Sequence, residues 1–348
     1  MNRIAPAALL LCLAAVRCVT AAEPAVPPSA AAPPAPVVAA AITRALPVIR
    51  DRGVEWIEQR SCVSCHRVSF MTWAMRAAAE NGFEVDRKQL ATWEQWSVEA
   101  LLKPQEGRTE PAGASNLEGV AQVLWAARNQ PDHPSTAARQ QLLAFLLEAQ
   151  EDSGTWPAKG QLPRQKRPPE ETALVSSLWN ALALGTAGNT AETAEARKRA
   201  LAGAGPYREA ASTEWYVVRL LLAVQSAAPG DRQQLIDRLT ALQRPGGGWG
   251  WLVKDEADAL ATGMALYALR FADVPVEHDS IRQGVQFLLN TQQDDGSWQV
   301  PGTKRQARGL PVETAGYWGT CWATIGLLST RTMPPPAGES APAATPDG

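Results

Sequence analysis

The chain has 348 residues, of which 45% are hydrophobic, and its 33 Lys and Arg residues nearly balance 35 Asp and Glu residues. The resulting net charge of −2 gives no indication of a nucleic-acid partner. Trp is unusually frequent, with 13 residues beside 5 Phe and 4 Tyr, and the length suits one large domain or two small ones.

The first 22 residues have the pattern of a signal peptide. Arg3 precedes an apolar run, and small residues around Ala21 and Ala22 suit a signal peptidase. We therefore expect residues 1–22 to be removed and the mature protein to be periplasmic or secreted. No later apolar stretch reaches the roughly 20 residues that a membrane helix needs, so no transmembrane segment is expected after signal removal.

Two further segments are rich in Ala and Pro. Residues 23–41 follow the predicted signal peptide, and residues 332–348 end the chain. Such compositions cannot bury a core, which predicts a disordered linker and a disordered tail. The folded domain is then expected to span residues 42–331.

A C-x-x-C-H motif is formed by Cys62, Cys65 and His66. At this spacing two thiols can bind a haem covalently while the histidine ligates its iron. The alternatives are a local disulfide, a thioredoxin-like site or half of a zinc site. The surrounding sequence lacks a strand–helix context, and the remaining Cys and His residues supply a second zinc ligand pair poorly. The motif therefore predicts covalent haem c with His66 on the iron and an unassigned sixth ligand.

Internal repeats are visible as Gln, three residues, then Gly-x-Trp. The copies occupy residues 150–156, 243–249 and 292–298, and each ends an apolar helical run. Their spacing fits a period in the high forties with one degenerate copy, which we place at residues 194–205.

Each repeat turn is followed by a second helical run that is apolar nearly all round, whereas the first helix of each pair keeps a polar face. Polar outer helices and apolar inner helices repeated around a circle predict an all-α fold, an (α/α)6 toroid of six hairpins. An open solenoid of the HEAT or TPR kind is the weaker alternative. The first two outer helices are predicted near 42–59 and 87–102, and the inner helices near 68–80, 116–128, 171–184, 213–224, 258–269 and 313–328.

The Gln-x3-Gly-x-Trp copies resemble the QW repeats of squalene-hopene cyclases and the related prenyltransferase and squalene oxidase repeat family. The likeness covers roughly residues 130–328. In the first two hairpins it rests only on the pattern of polar outer and apolar inner helices. It implies that the Gln and Trp side chains brace the turn from an outer to an inner helix. Residues 56–73, which include the C-x-x-C-H motif, also resemble a group of exported bacterial proteins that join such a motif to these repeats.

The resemblance also implies an alternative function. Cyclases of this family protonate an alkene with an Asp-x-Asp-Asp-Thr-Ala acid at the start of an inner helix, and the nearest match here contains Glu170 and Glu171. These two are the candidate catalytic acids if the chain is a terpene-cyclase-type enzyme, although helix capping explains them equally well.

Six inner-helix tryptophans either line a cavity for an apolar polyprenyl-like ligand or fill the centre of the ring. They are Trp73, Trp125, Trp179, Trp215, Trp318 and Trp322.

The C-x-x-C-H turn is expected on the same rim as the Gly-x-Trp turns and the long loops 157–169 and 299–312. Long loops of this kind commonly carry function. We expect ring closure to bring the cations of the second loop beside the haem, where they meet its propionates or an acidic redox partner. The predicted function is therefore electron transfer or redox sensing by an exported haem protein, with the cyclase and a non-catalytic lipid- or partner-binding protein as alternatives. The cations are Lys304, Arg305 and Arg308.

Overall fold

The computed structural model describes residues 33–60, 67–105, 107–130, 132–159, 162–186, 190–205 and 209–331. Within these ranges the chain forms twelve α-helices, three short 3-10 helices and no extended strand. Odd-numbered helices are the outer members of the hairpins: α1 Ala35–Gln59, α3 Arg87–Leu102, α5 Thr136–Glu148, α7 Ala191–Ala204, α9 Pro229–Ala241 and α11 Asp279–Thr291. Even-numbered helices are the inner members: α2 Val68–Glu80, α4 Leu117–Ala126, α6 Pro169–Leu184, α8 Thr213–Gln225, α10 Ala259–Phe271 and α12 Glu313–Ser329.

The inner helices form a closed ring. Each packs against the next inner helix along the chain, and α12 packs against α2, which completes the circle. The inner helices are buried over most of their surface, whereas outer helices such as α11 bury one face. This difference follows from the sequence, because a helix without a polar face is stable only when it is surrounded. The predicted (α/α)6 toroid is confirmed, and the open solenoid is excluded.

The repeat turns are held by the Gln and Trp side chains. Gln243 Nε2 donates to the carbonyl of Gly247 at 2.6 Å and to that of Ser280, on the next outer helix, at 2.9 Å. Trp249 Nε1 donates to the carbonyl of Leu239 at 2.7 Å, which fixes the end of the preceding outer helix. The predicted bracing role of these side chains is confirmed. Equivalent bonds join Gln150 to Gly154 and Ala196, Gln292 to Gly296 and Ala41, Trp156 to Leu146, and Trp298 to Leu288.

The sixth hairpin docks on the first through the same kind of turn. Gln292 Nε2 donates to the carbonyl of Ala41 at 2.8 Å, and Tyr317 Oη donates to the carbonyl of Ile49 at 3.0 Å. Because both acceptors lie on α1, the first outer helix is held by residues from the last hairpin. The ring is therefore closed by hydrogen bonds as well as by packing.

Helix α1 begins earlier than the sequence predicted. It starts at Ala35, inside the segment 23–41 that was predicted to be a disordered linker, and it buries Val38 and Ala41. Alanine has the highest helix propensity, and proline is tolerated in the first turn, so this composition permits a helix once one face has a partner. The prediction of disorder is therefore wrong from Ala35 onwards. Residues 1–32 and 332–348, and with them the signal peptide and tail, lie outside the described residues.

Aromatic side chains of the inner helices pack against one another. The ring of Trp322 lies 5.0 Å from that of Trp73, 5.4 Å from that of Phe70 and 5.8 Å from that of Tyr267, measured between centroids. Trp179 joins the same cluster at 6.3 Å from Trp322. This packing supports the interpretation in which the rings fill the centre of the toroid. Among the described helices, none is both long and apolar enough to cross a membrane.

Candidate active site

Five of the six inner helices begin with a carboxylate side chain, all at the rim that carries the repeat turns. Negative charge is favourable there, because the first backbone N–H groups of a helix lack intrahelical acceptors and the helix dipole is positive at that end. The five acids differ in their hydrogen-bond and ion-pair partners. These partners distinguish the acids that have a structural role from one candidate catalytic acid. They are Glu118, Glu171, Glu214, Asp258 and Glu313.

Glu171 holds the chain that enters α8. Its carboxylate accepts hydrogen bonds from Ala211 N at 2.7 Å, and from both the backbone N and the hydroxyl of Ser212. Glu170 is exposed at the start of α6. Neither side chain lines the cavity described below. The structure therefore gives Glu171 a structural role and does not bring the two predicted catalytic acids together around a ligand site.

Asp258 is also used within the fold. One carboxylate oxygen accepts from Ala261 N at 2.8 Å as the N-cap of α10, and the other accepts from Trp251 N at 2.7 Å. Burial raises the pKa of Asp258 to about 6, and these backbone hydrogen bonds oppose the rise. The bonds fix the long turn of the fifth hairpin to the start of its own inner helix.

Glu214 forms a buried ion pair with Arg167. Their atoms Oε2 and Nη1 are 2.7 Å apart, and the arginine side chain is 1% exposed. The second oxygen of Glu214 accepts from Trp179 Nε1 at 3.0 Å, and the guanidinium lies over the ring of Trp251. Both carboxylate oxygens of Glu214 are therefore used within the fold.

Glu118, at the start of α4, lies in a different environment. The residue is 9% exposed, and its Oε1 atom has no hydrogen-bond partner among the described residues. Burial, followed by the charge of Glu214, raises the pKa of Glu118 to about 7, while Arg167 and a hydrogen bond from Ser176 oppose the rise. Near neutral pH this side chain therefore exists in both its protonated and its charged form.

A cavity of about 390 Å³ opens beside Glu118. Its walls come from the starts of α4 and α12 and from the two long rim loops. This volume is within the range of small-molecule sites. The side chain of Gln165 also lines the cavity, and its buried Oε1 lacks a hydrogen-bond partner among the described residues. Trp318 provides an aromatic surface in the same cavity.

The two long rim loops meet over the mouth of the ring, although they belong to the third and sixth hairpins. Lys166 N donates to the carbonyl of Thr303 at 2.8 Å, and Arg305 Nη2 donates to the carbonyl of Pro163 at 2.7 Å. Gln165 and Lys304 form an antiparallel bridge. We call residues 157–159, 162–168 and 299–312 the rim strap. Two cations of the second loop, Lys304 and Arg305, contact the opposite loop, and the prediction that these cations lie beside the C-x-x-C-H motif stays a prediction.

The C-x-x-C-H motif lies outside the described residues, so Cys62, Cys65 and His66 stay predicted haem ligands. The residue that follows it, Arg67, is buried and lies 5.3 Å from the ring of Trp56 and 4.7 Å from that of Tyr317. Arg67 also forms an ion pair with Glu313. These contacts fix the chain on the C-terminal side of the motif at the junction of the first and last hairpins. No group of three or more His, Cys, Asp or Glu residues that could hold a metal ion occurs in the described ranges.

Sequence reasoning missed Glu118 and Gln165. The resemblance to the cyclase motif indicated residues 168–173. In the sequence, Glu118 has no feature that distinguishes it from the other acids at helix starts. The available signals were an acid in the first turn of a predicted inner helix and the unusual length of two rim loops. Neither signal shows which acid lacks a partner, because that depends on loops that are distant in sequence.

Fold and site together define an (α/α)6 toroid with an acidic group in a cavity at its mouth. No protein-family model matches the chain, and no curated protein matches it. Among solved structures, the chain is similar to unsaturated glucuronyl hydrolase from Streptococcus agalactiae, with a TM-score of 0.60 at 12% identity over 86% of this chain and 93% of that one. The unsaturated glucuronyl hydrolase from Bacillus sp. GL1 gives 0.56 at 12% identity, over 84% and 96%. A type II terpene cyclase from Scytonema gives 0.52 at 14% identity, over 85% and 98%.

These comparisons show the fold and correct the predicted function. Several of the similar solved structures are named as unsaturated glucuronyl hydrolases or as members of glycoside hydrolase families, beside the one terpene cyclase named above. The prediction of electron transfer or redox sensing, with a polyprenyl cyclase or a non-catalytic binding protein as alternatives, is contradicted. It relied on the C-x-x-C-H motif and on one family resemblance, whereas toroids of this shape also support carbohydrate chemistry.

Proposed function

We propose that this chain is a carbohydrate-active hydrolase in which Glu118 is the general acid. The observation that carries the proposal is a carboxyl group with a pKa raised to about 7 and one unpartnered oxygen, beside a cavity of suitable volume. A general acid works best when its pKa lies near the operating pH, because both protonation states are then accessible during turnover. Strongly perturbed acids in clefts are enriched at functional sites.

The contrast between Glu118 and Glu214 supports this assignment. The two carboxyl groups are close enough for the charge of Glu214 to raise the pKa of Glu118, yet Glu214 has an arginine partner and Glu118 has an open oxygen. Glu118 therefore has an oxygen that can exchange a proton with a ligand, whereas both oxygens of Glu214 have partners within the fold. In this arrangement Glu214 and Arg167 are positioning residues, which set the charge around Glu118 without lining the cavity.

The lining of the cavity favours a ligand with hydroxyl groups. Gln165 Oε1 can accept a hydrogen bond, and Glu118 can donate one when it is protonated. A buried polar atom without a partner is costly, so a ligand that pairs with both atoms gains affinity. The aromatic face of Trp318 offers an apolar surface for the ring of a sugar. Because similar toroids are named unsaturated glucuronyl hydrolases, an unsaturated uronide is the first substrate to test.

The proposed reaction consumes one water molecule for each glycosidic bond that is cleaved. Glu118 donates its proton to the glycosidic oxygen, the bond between that oxygen and the anomeric carbon breaks, and the leaving sugar departs as an alcohol. The oxygen of water then bonds to the anomeric carbon, and the water returns a proton to the Glu118 carboxylate, so the enzyme ends in its starting state. Burial of Glu118 keeps the proton available at neutral pH, because the charged form is poorly solvated. Activity should therefore fall as the pH rises above about 7, where Glu118 loses its proton.

The test is an assay of the purified protein on unsaturated uronyl disaccharides, followed by the loss of their ultraviolet absorbance. We expect Glu118→Gln to lower kcat by at least about a hundredfold, because removal of a general acid has an effect of this size. The matched control is Glu192→Gln, which changes an exposed acid in the first turn of an outer helix. An unchanged rate in Glu118→Gln, or equal losses in both variants, would contradict the proposal.

We also propose that Cys62 and Cys65 bind haem c covalently, with His66 as an iron ligand. Two thiols and an imidazole at this spacing fit the group chemically, and the buried Arg67 gives the adjoining chain a fixed position. When bound, the haem would supply a redox-active iron centre. Expression with a periplasmic haem-attachment system should give a protein that keeps its haem on a denaturing gel. Cys62→Ser with Cys65→Ser should abolish the stain, and Cys321→Ala should not; a mature mass equal to that of bare polypeptide would reject the proposal.

The export and family predictions belong with this proposal. Sequencing the N-terminus of the secreted material tests cleavage after residue 22. Membership of the QW-repeat family is supported by the three turns that share the same Gln and Trp hydrogen bonds. A homologue that keeps these turns and has a known activity would be the most direct evidence for that membership.

A further inference from the structure

All the charged side chains of the rim strap are positive. Residues 157–169 and 299–312 contain no Asp or Glu, although the whole chain has a net charge of −2. One cation of the rim strap, Arg167, is neutralised by its buried ion pair with Glu214. Six cations remain at least partly exposed, and they are Lys159, Arg164, Lys166, Lys304, Arg305 and Arg308.

The fold brings these cations together from two separate parts of the sequence. The backbone bond from Lys166 to Thr303 and the bond from Arg305 to the carbonyl of Pro163 join the two loops. Arg164 and Arg308 are exposed, and neither forms an ion pair with a carboxylate in the described part of the chain. The result is a positively charged surface on the loops that cover the mouth cavity.

We propose that the rim strap binds an anionic polysaccharide, whose terminal sugar occupies the mouth cavity. This inference rests on the proposed function and names the class of chain from which the sugar comes. The strap and the cavity are continuous, because Gln165 and Lys304 belong to both. The exposed cations favour a ligand with several negative charges, and the open oxygens of Glu118 and Gln165 favour a ligand whose end carries hydrogen-bond donors. A polysaccharide of uronic acids carries carboxylates along its length and hydroxyl donors on a terminal ring, which suits a cavity of about 390 Å³ at the end of the charged surface.

The experiment is a calorimetric titration of the full-length protein with two oligosaccharides of equal length. One is an oligogalacturonate, which is anionic, and the other is a neutral maltooligosaccharide. We expect the oligogalacturonate to bind more tightly, and its affinity to fall as salt is added, because exposed charges are screened. The double variant Arg164→Gln, Arg308→Gln should weaken this binding about fivefold, since each exposed charge contact contributes modestly.

The matched control is the double variant Lys88→Gln, Lys198→Gln, which removes the same charge from exposed positions on the outer helices α3 and α7. We expect it to bind like the wild type. Equal binding of the two oligosaccharides, a double arginine variant that binds like the wild type, or an equal loss in the control would overturn the proposal. Binding of polyglutamate or of phosphatidylglycerol vesicles that depends on Arg164 and Arg308, without oligogalacturonate binding, would also overturn it.

The binding and turnover measurements together distinguish failure of this inference from failure of the proposed reaction. Oligogalacturonate binding that depends on the two arginines, without turnover of any uronide, would reject the hydrolase and retain the strap as a polyanion site. Turnover of a disaccharide that depends on Glu118, without binding of the longer anionic chain, would reject the strap and retain the hydrolase.

Discussion

Substituting Gly296 with alanine tests whether the ring is closed in the way the structure shows. Gly296 belongs to the last repeat turn and has a φ of +87°, a region that L-residues rarely adopt. A Cβ atom at this position would lie 2.2 Å from the carbonyl oxygen of Arg44 on α1, a distance that real Cβ contacts do not reach. The substitution therefore combines backbone strain with a collision between the last and first hairpins.

The magnitude follows from these two effects. Left-handed backbone costs a non-glycine residue ~1–2 kcal/mol, and overpacking against a rigid neighbour costs ~1–3 kcal/mol. The neighbour is backbone within a helix and cannot move aside as a side chain would, so both effects apply. We expect Gly296→Ala to lower the free energy of unfolding by about 3 kcal/mol, measured by urea denaturation.

Two other glycines provide the comparisons. Gly82 has a φ of +81° but no heavy atom within 4 Å of a Cβ, so Gly82→Ala should show the strain alone, about 1–2 kcal/mol. Gly247 has a φ of +89°, and its Cβ would lie 2.6 Å from the carbonyl oxygen of Gln283, so Gly247→Ala should resemble Gly296→Ala. If Gly296→Ala were as mild as Gly82→Ala while Gly247→Ala remained costly, the ring would not be closed between its last and first hairpins.

Three further predictions concern the turns and the acids of the rim. Trp249→Phe should cost ~1–3 kcal/mol in urea denaturation, because it leaves the carbonyl of Leu239 without its indole donor; a cost no larger than that of Trp96→Phe, at a half-buried position of the outer helix α3, would contradict this. Glu171→Gln should cost a similar ~1–3 kcal/mol and Glu170→Gln less than about 0.5 kcal/mol, because only Glu171 holds the start of α8; the reverse order would be evidence against that role. The raised pKa of Glu118 means that its contribution to stability is fully present below pH ~4 and is lost as the pH rises through about 7. Glu118→Gln should therefore stabilise the protein at pH 8 by roughly 3 kcal/mol and much less at pH 4, and a gain that does not vary with pH would disprove the burial of that acid.

The repeat turns explain why so much of the fold could be predicted. Gln243 and Trp249 each donate a side-chain hydrogen bond at the turn, and Gly247 has a φ of +89°, which L-residues rarely adopt, so the spacing of these three residues in the sequence indicates a specific turn. The degenerate copy was placed wrongly at residues 194–205, because these residues lie almost entirely within the outer helix α7, whereas the other copies follow the end of an outer helix. Boundaries were less predictable, because the start of α1 depends on neighbours that cover Val38 and Ala41 and not on local composition.

The candidate site was harder to predict for a physical reason. A carboxylate at a helix start looks the same in the sequence whether it caps backbone N–H groups, as Asp258 does, or has an open oxygen, as Glu118 does. The distinction is made by groups far along the chain, such as Gln165 and Glu214, which create the cavity and the charge around it. The local sequence pattern identifies the helix, whereas contacts with residues distant in the sequence determine whether the acid at its start caps the helix or keeps an open oxygen.

The distribution of aromatic and charged side chains favours the mouth of the toroid, and not its centre, as the position of the proposed site. Packing of Trp73, Trp179 and Trp322 uses the centre of the ring for stability, because burying such rings removes large apolar areas from water. A ligand that entered there would have to displace these contacts. At the rim, in contrast, the six inner helices present their N-terminal ends, and loops can vary in length without disturbing the core. In the proposed hydrolase the loops over Glu118 would therefore select the substrate, and the rim strap has the positive charge for that role.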